Sequence, residues 1–560
     1  MLTFSNDPDV AESQMQAVIF IMTTFGYIDG DFDQREKRFV RDRIRALVEA
    51  RVDGAKLASG IVRAELVDKF TKHFHEVFEQ IDARVNDLLL EPVAAGEEQN
   101  AFVHTKLKQQ CFEIMQGFDA DSQEALLESI DELLMADGEV HPAELKFRSE
   151  LSALLEADLG VELVEEGEPR ERVRIVPGRA LEAAGKVHPF FTPFEKHYQH
   201  DHIEQQIEGD RALLASAMRL FDEQRKGGEG RLTGKTSIEQ LRGQEPFLDG
   251  HVYVNMPRDG RRYELLVLGD LHGCYSVLKA SIIQSRFFDR VNAWRKAPDS
   301  EPYPLLVLLG DYIDRGLFSL NGVLRTVLQL LVTAPAHVYV LRGNHEYYFE
   351  HEGTIYGGVQ PSEAINTLRP HVPMDALRDY MRLFEALPNV LLFDRLFFVH
   401  GGLPRDRMLK ERWKDLSSLN DPDLRFQMMW SDPSTADVIP LDLQDKSSRF
   451  AFGRLQFRSF MQRVGSTTMI RGHEKVNEGF QKTYDGDEGT LITLFSAGGK
   501  DNQDLPAESS YRGVTPHALT ITHEDGVSTL RPWAPDYRAY NDPARNAFFQ
   551  VPPEIALRAK

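Results

Sequence analysis

Cysteine is almost missing from this chain. Cys111 and Cys274 are the two present in 560 residues, far apart in the sequence. They supply neither a disulfide framework nor a paired-thiolate zinc site, which fits a reducing compartment. Long apolar runs are missing too. The stretch VIFIM, Val18–Met22, falls far short of the roughly 20 residues that a membrane-spanning helix needs, and nothing later reaches that length. The start, MLTFSNDPDV, has neither the basic nor the apolar segment of a secretory leader, so a soluble, cytoplasmic protein without a transmembrane segment is the expectation. A basic excess is also lacking. With 65 Lys and Arg against 87 Asp and Glu, the formal charge is -22, which excludes a broad nucleic-acid-binding face or adhesion to anionic lipid.

What is present suits folded material: 42% of residues are hydrophobic and 27% charged, and the length calls for two or three domains. Four segments are expected: helical over 1–160, connecting or packing over 161–245, α/β over 246–530, and a tail over 531–560. The tail is aromatic and broken by prolines, and either packs back or meets a partner. In the first segment, QMQAVIFIMTTFGYIDG, REKRFVRDRIRALVEARV and three further runs carry apolar residues at helical spacing.

Two acidic turns in that segment are alike, DGDFDQRE (Asp29–Glu36) and DGEVHPAE (Asp137–Glu144). Asp33 with Glu36 reads as a capping box, and His141, Pro142 and Glu144 read as an N-cap followed by the first and third helical positions. Neither turn is an EF-hand, because Gln34 and Pro142 stand where the glycine belongs and Val40 and Arg148 where the closing glutamate belongs. The pair resembles the acidic turns of TerB-like helical domains of the tellurite-resistance type. That resemblance implies an accessory domain with a protein partner. In the connecting segment, EEGEPRERVRIVPG contains a short hairpin pattern, a helix is expected near IEGDRALLASAMRLFDEQ, and His188, His197, His200 and His202 read as structural or surface histidines.

Beyond residue 260 a pattern repeats. RYELLVLGDLHG, PYPLLVLLGDYIDRG, HVYVLRGNHE, LFFVHGG and TTMIRGHE each run from a short apolar strand straight into a polar cluster. Helical segments between them argue for an α/β sandwich with its polar groups at the carboxyl ends of strands. The residues able to bind ligands at those ends are Asp270, His272, Asp311, Asn344, His400 and His473. Together they describe a centre for two divalent cations, the first held by Asp270, His272 and Asp311, the second by Asn344, His400 and His473, with Asp311 bridging. Oxygen and imidazole donors without thiolates suit manganese, iron or zinc. A hydroxide shared by the two ions is the expected nucleophile. Arg315 and Arg342 offer forked donors to phosphate oxygens, and His345, oriented by Asp314, is the expected general acid.

GDLHG, GDYIDRG, LRGNHE, VHGG and RGHE in this order resemble the phosphoprotein phosphatase family of calcineurin-like metallophosphoesterases. The resemblance implies a β-sandwich flanked by helices, preceded here by the all-α domain. It assigns the same six metal ligands, Arg315 and Arg342 to phosphate, and Asp314 and His345 to the acid pair. WSDP (Trp430–Pro433) and FAFG (Phe450–Gly453) also look like the eukaryotic-type enzymes, which place a phosphate-binding arginine just before the second element; here that place falls on Lys446, with Arg449 nearby. LFSAGGK (Leu494–Lys500) departs from the family's SAPNY loop, losing its Asn and Tyr, and residues 352–373 form a further candidate rim element. The expected activity is hydrolysis of serine/threonine phosphoprotein. Alternatives are a dinucleoside polyphosphate or small phosphate ester as substrate, or a non-catalytic interaction scaffold.

Overall fold

The computed structural model describes residues 4–5, 7–30, 32–54, 60–89, 91, 93–135, 141–156, 173–178 and 188–556. It divides into two compact units, one of residues 1–162 with 439–447, the other of residues 163–438 with 448–560.

The first unit is helical. Its elements are α1 (Pro8–Gly26), α2 (Gln34–Gly54), α3 (Gly60–Leu88), α4 (Gln99–Met115), α5 (Ala120–Leu134) and α6 (Pro142–Glu156). Val18–Gly26 of α1 is buried on every side, with α2, α3, α4 and α5 packed around it. The VIFIM run is therefore a central core helix, as a helix apolar all round must be in a water-soluble bundle. The capping box at the start of α2 is formed: Glu36 N donates to Asp33 Oδ1 and Asp33 N to Glu36 Oε2, both at 2.9 Å. At α6, His141 N donates to Glu144 Oε2 at 2.8 Å. Residues 31 and 137–140 of the two acidic turns lie outside the described residues.

Burial pushes the Glu36 carboxyl up to about 7, with the charges of Asp29, Asp33 and Glu144 adding to it. A carboxyl raised in the fold stabilises it most below the unfolded pKa and loses that contribution as pH rises through the folded value. Stability of the helical unit should therefore decline between about pH 4.5 and 7. Glu36→Gln, which keeps a cap acceptor without the charge, should flatten that decline by on the order of 1 kcal/mol. Chemical denaturation of wild type and variant at pH 5 and 8 measures it, and parallel curves would refute it.

The second unit is built around two large sheets. In chain order the strands are β1 (Arg174–Ile175), β2 (Phe247–Asp249), β3 (Val252–Val254), β4 (Tyr263–Leu268), β5 (Tyr303–Leu308), β6 (Val338–Val340), β7 (Val390–Phe393), β8 (Leu396–Val399), β9 (Thr468–Arg471), β10 (Phe480–Gly486), β11 (Gly489–Leu494), β12 (Ala518–Glu524) and β13 (Val527–Trp533). One sheet has the order β1-β13-β12-β4-β5-β6 and the other β10-β11-β9-β8-β7-β3-β2. Strands β4, β5 and β6 run parallel, as do β8, β9 and β11, so each group delivers its carboxyl ends to one edge. Alternation along β7 and β8 sends Leu391, Phe393, Leu396 and Phe398 into the larger core and Val390, Leu392, Phe397 and Val399 into a smaller one on the opposite face. Strand β4 is apolar and buried from Leu265 to Leu268, because a strand in the middle of the sheet is covered on both faces.

Residues 188–245 contribute to this core. The expected helix there is α7 (Ile203–Gly228), packed on β2, on α10 (Arg325–Thr333) and on α12 (Met374–Ala386); α8 (Tyr275–Gln284) and α9 (Phe287–Lys296) lie between β4 and β5 in the chain, and the short α11 (Glu363–Leu368) precedes α12. Of the hairpin expected over residues 165–178, residues 165–172 lie outside the described residues. Its described part is β1, which pairs in parallel with β13, so its partner comes from the far end of the chain. His188 stacks on Phe288 and His197 Nε2 lies 2.8 Å from the Phe548 carbonyl, in structural roles. The tail folds back: Phe548 stacks on Phe318, and buried Glu195 accepts from Ala547 N at 2.8 Å and from Tyr275 Oη at 2.9 Å.

Candidate metal centre

All five motifs converge where the strands end. Asp270 and His272 follow β4, Asp311 follows β5, Asn344 and His345 follow β6, His400 follows β8, and His473 follows β9. Asp270 forms an isolated parallel bridge with Phe495, which follows β11, so the two sheets meet at the site itself. Every one of these side chains is buried. Two glycines let the loops close. A Cβ on Gly343 would lie 2.1 Å from Asp311 Oδ1, and one on Gly472 2.2 Å from Asp270 Oδ1.

The carboxylates use one oxygen each to tie neighbouring loops. Asp270 Oδ1 accepts from His473 N at 2.8 Å, and Asp311 Oδ1 from His345 N at 3.0 Å. The Asp311 oxygens then divide between two sets of rings. Oδ2 lies 3.5 Å from His272 Nε2 and 3.9 Å from His345 Nε2, while Oδ1 lies 3.3 Å from His400 Nε2. Two donor clusters result, His272 with Asp311 and His345, and Asp311 with His400 and His473. Asp270 Oδ2 stands 3.7 Å from His272 Nε2 and adds to the first. Asn344 Oδ1 lies 2.9 Å from His400 Nε2 and 3.1 Å from His473 Nδ1 and adds to the second. The six expected ligands are thus brought together, with Asp311 common to both clusters.

These donors fit a pair of cations. His272 Nδ1 and His400 Nδ1 lie 2.9 and 3.1 Å from the carbonyls of Ile313 and Leu309, which fixes the tautomer that turns the Nε2 lone pair inward. Asp270 Oδ2 and His473 Nε2 are buried without a hydrogen-bond partner. The Asn344 oxygen faces acceptors only. Turning the amide over would let it donate to Asp311 and to the His400 and His473 rings at 2.9–3.2 Å. A cation held among these atoms would reverse that preference and favour the oxygen as a ligand. The electrostatics agree: burial pushes Asp270 up to about 7, raises Asp311 with help from the Asp270 and Glu346 charges, and drives His272, His345, His400 and His473 down. Neutral imidazoles are ready ligands, and a bound divalent charge is what would restore ionisation to the crowded carboxyls.

Around this centre, His345 Nδ1 lies 2.8 Å from Asp314 Oδ2, and Asp314 Oδ1 accepts from Ala364 N at 2.8 Å. Arg315 is held by Glu363, and Arg342 by Glu385 at 2.8 Å and by the Glu346 carbonyl at 2.9 Å. Arg449 Nε donates to Asp432 Oδ2 at 2.7 Å, and its charge helps depress both His345 and His473. Lys446, on which gapless spacing placed the anion, has an ion-pair partner within the helical unit. Its segment groups with the helical unit, where its ammonium lies 3.4 Å from Glu150 Oε2. Counting along the chain could not register that residues 439–447 leave the second unit.

Four further residues shape the site without having been assigned a role from sequence. Glu346 accepts backbone N–H groups from Asp311, Tyr312 and Gly343 at 2.7–3.0 Å, locking two motif loops together. Asp432 binds both Arg449 and Arg471, and lies 3.8 Å from His473 Nε2. The signal was there, since Glu346, Asp432 and Arg471 are letters of the NHE, WSDP and RGHE motifs. Tyr511 had no such signal. Its ring packs 5.3 Å from that of His272, standing beside the centre although LFSAGGK carries no tyrosine.

Residues 263–477 match the family described as calcineurin-like phosphoesterase. The fold is that of a calcineurin-like phosphoesterase. A probable serine/threonine-protein phosphatase of Encephalitozoon cuniculi is 26% identical over 259 residues, 46% of this chain and 51% of that protein, so the match spans about half of that relative. The serine/threonine-protein phosphatase 4 catalytic subunit of Eremothecium gossypii is 25% identical over 235 residues, 41% of this chain and 67% of that protein. Among solved structures, a protein serine/threonine phosphatase from Saccharomyces cerevisiae with similarity to human phosphatase PP5 aligns with 59% of this chain and 90% of its own, at 19% identity and a TM-score of 0.37. Within the calcineurin-like fold, the two Asp/His clusters form a binuclear metal-binding phosphoesterase site. Among the described residues no helix is long and apolar enough to cross a membrane.

Proposed function

We propose that this chain is a metal-dependent phosphomonoesterase acting on phosphoserine and phosphothreonine in proteins. The observation that carries the reading is the sharing of Asp311 between two donor clusters beside a mostly buried arginine and a His–Asp pair. Two divalent cations, manganese, iron or zinc, would supply Lewis acidity toward the phosphoryl oxygens and acidify the attacking water. Arg315, Arg342 and Arg449 set positive charge against the equatorial oxygens as water attacks phosphorus in line with the departing oxygen. In this step His345 enters as the imidazolium, its Nδ1–H held by the Asp314 carboxylate against the burial that favours the neutral ring; it gives its Nε2 proton to the leaving alkoxide and is reprotonated from solvent, which takes up the proton that the attacking water releases. Inorganic phosphate leaves without a covalent enzyme intermediate.

Support for a protein substrate comes from the WSDP and FAFG elements and from the names that both sequence relatives carry. The helical unit, which has its own core and the TerB-like acidic turns, serves in this reading to recruit a protein partner. A dinucleoside polyphosphate remains the second reading, favoured by the changed LFSAGGK loop. Turnover of phosphoserine and phosphothreonine peptides, diadenosine tetraphosphate and p-nitrophenyl phosphate with added manganese decides between them. Peptide turnover should exceed that of diadenosine tetraphosphate; the reverse order selects the second reading, and no turnover of any substrate by metal-loaded protein defeats both.

A further inference from the structure

Arg315 is charged, mostly but not fully buried, and tied down at one end. Its Nη1 lies 2.8 Å from both Glu363 oxygens and donates to the Pro361 carbonyl at 2.9 Å. The two side chains are 12% and 11% exposed, so the pair is shielded from water and its geometry is energetically significant. The other terminal nitrogen, Nη2, is buried without a hydrogen-bond partner. The guanidinium charge also helps depress His272 and His345, which places it beside the first donor cluster.

The backbone beneath it is strained. Asp314 and Arg315 have φ values of 65° and 66°, two consecutive non-glycine residues in the left-handed region. Side chains of L-residues crowd the backbone there, so the conformation persists only where surrounding contacts hold it. Those contacts come from one short stretch. Pro361 O and the Glu363 carboxylate hold Arg315, and Ala364 N holds Asp314 Oδ1, whose other oxygen meets His345. The start of α11 therefore grips the anion-binding candidate and the partner of the acid candidate together.

We infer that Glu363 is a positioning residue, which anchors Arg315 through Nη1 so that Nη2 is presented to a phosphoryl oxygen; this rests on the phosphoesterase reading above. A competing role would be that of a counter-ion occupying the arginine in place of phosphate. The geometry argues against it, because both carboxylate oxygens sit on the same nitrogen and leave Nη2 without a partner, whereas an occupying carboxylate would span the fork. Pre-set orientation of a donor saves the ordering that binding would otherwise require.

The test is equilibrium binding of inorganic phosphate to manganese-loaded protein by titration calorimetry, beside kcat and KM for p-nitrophenyl phosphate. Glu363→Ala should weaken phosphate binding about tenfold, as should Arg315→Ala, and the double variant should be no weaker than Arg315→Ala alone. Glu363→Gln should bind within about twofold of wild type, because its amide oxygen still accepts from Nη1. If Glu363→Ala does not fold, Glu363→Asp, which shortens the reach, should show an intermediate loss. Unchanged or tighter phosphate binding in the Ala or Asp variant overturns the inference, as does an additive double variant. A wild type that neither binds phosphate nor turns over an ester sinks the phosphoesterase reading; a wild type that does both while the Glu363 variants match it sinks this inference alone.

Discussion

An Asp311→Asn variant should lose both cations together, and with them turnover by about three orders of magnitude or more. The reason lies in how one carboxylate is divided. Oδ2 serves the His272 and His345 side and Oδ1 the His400 side, while the same Oδ1 accepts the His345 N–H. Asparagine keeps the size but removes the charge and turns one of the two oxygens into a donor. No rotation of the amide can then face both clusters with an acceptor. The flanking positions cannot compensate, since Asp270 lies on one side and Asn344 on the other. Metal analysis of purified variant and wild type measures the outcome, with circular dichroism to establish that the variant is folded. Retention of both ions would contradict the bridging assignment, and loss of one alone would confine Asp311 to a single cluster.

The second large effect belongs to His345→Asn. Here metal content should be retained, because the six residues assigned as ligands are untouched, whereas hydrolysis of alkyl esters such as phosphoserine peptides should slow by about 10²–10⁴. An aryl ester such as p-nitrophenyl phosphate needs little protonation of its departing oxygen and should slow far less. Asparagine is the informative replacement. Its amide N–H can still donate to Asp314 Oδ2, now 2.8 Å from His345 Nδ1, so the loop keeps a tie while losing the transferable proton. Equal slowing of both ester types would remove the general-acid role, and loss of metal would move His345 into the ligand set, where its Nε2 position near Asp311 Oδ2 already brings it close.

The larger features were legible because they arise from local chemistry. A short apolar run ending in glycine and a carboxylate must be a strand that hands its last residues to a loop, and five such runs with donors of one kind identify a shared centre. The helix starts at Gln34 and Pro142 were legible for the same reason, since a cap is satisfied within three residues. Pairings between distant residues were not. Nothing near Arg174 announces that its strand partner is Thr529, and nothing near Arg315 announces Glu363. Nor does anything near Lys446 announce its ion-pair partner Glu150 in the helical unit.

The amino-acid order alone determined the helical region, the strand-ending motifs and the ligand types, because periodicity, capping and donor chemistry act over a few neighbouring residues. Only tertiary structure decided that Asp311 is shared, that Arg449 pairs with Asp432, and that Glu363 and Tyr511 border the centre. Those relations depend on which distant backbones approach one another, and that is settled by the packing of two sheets and not by any single stretch of chain.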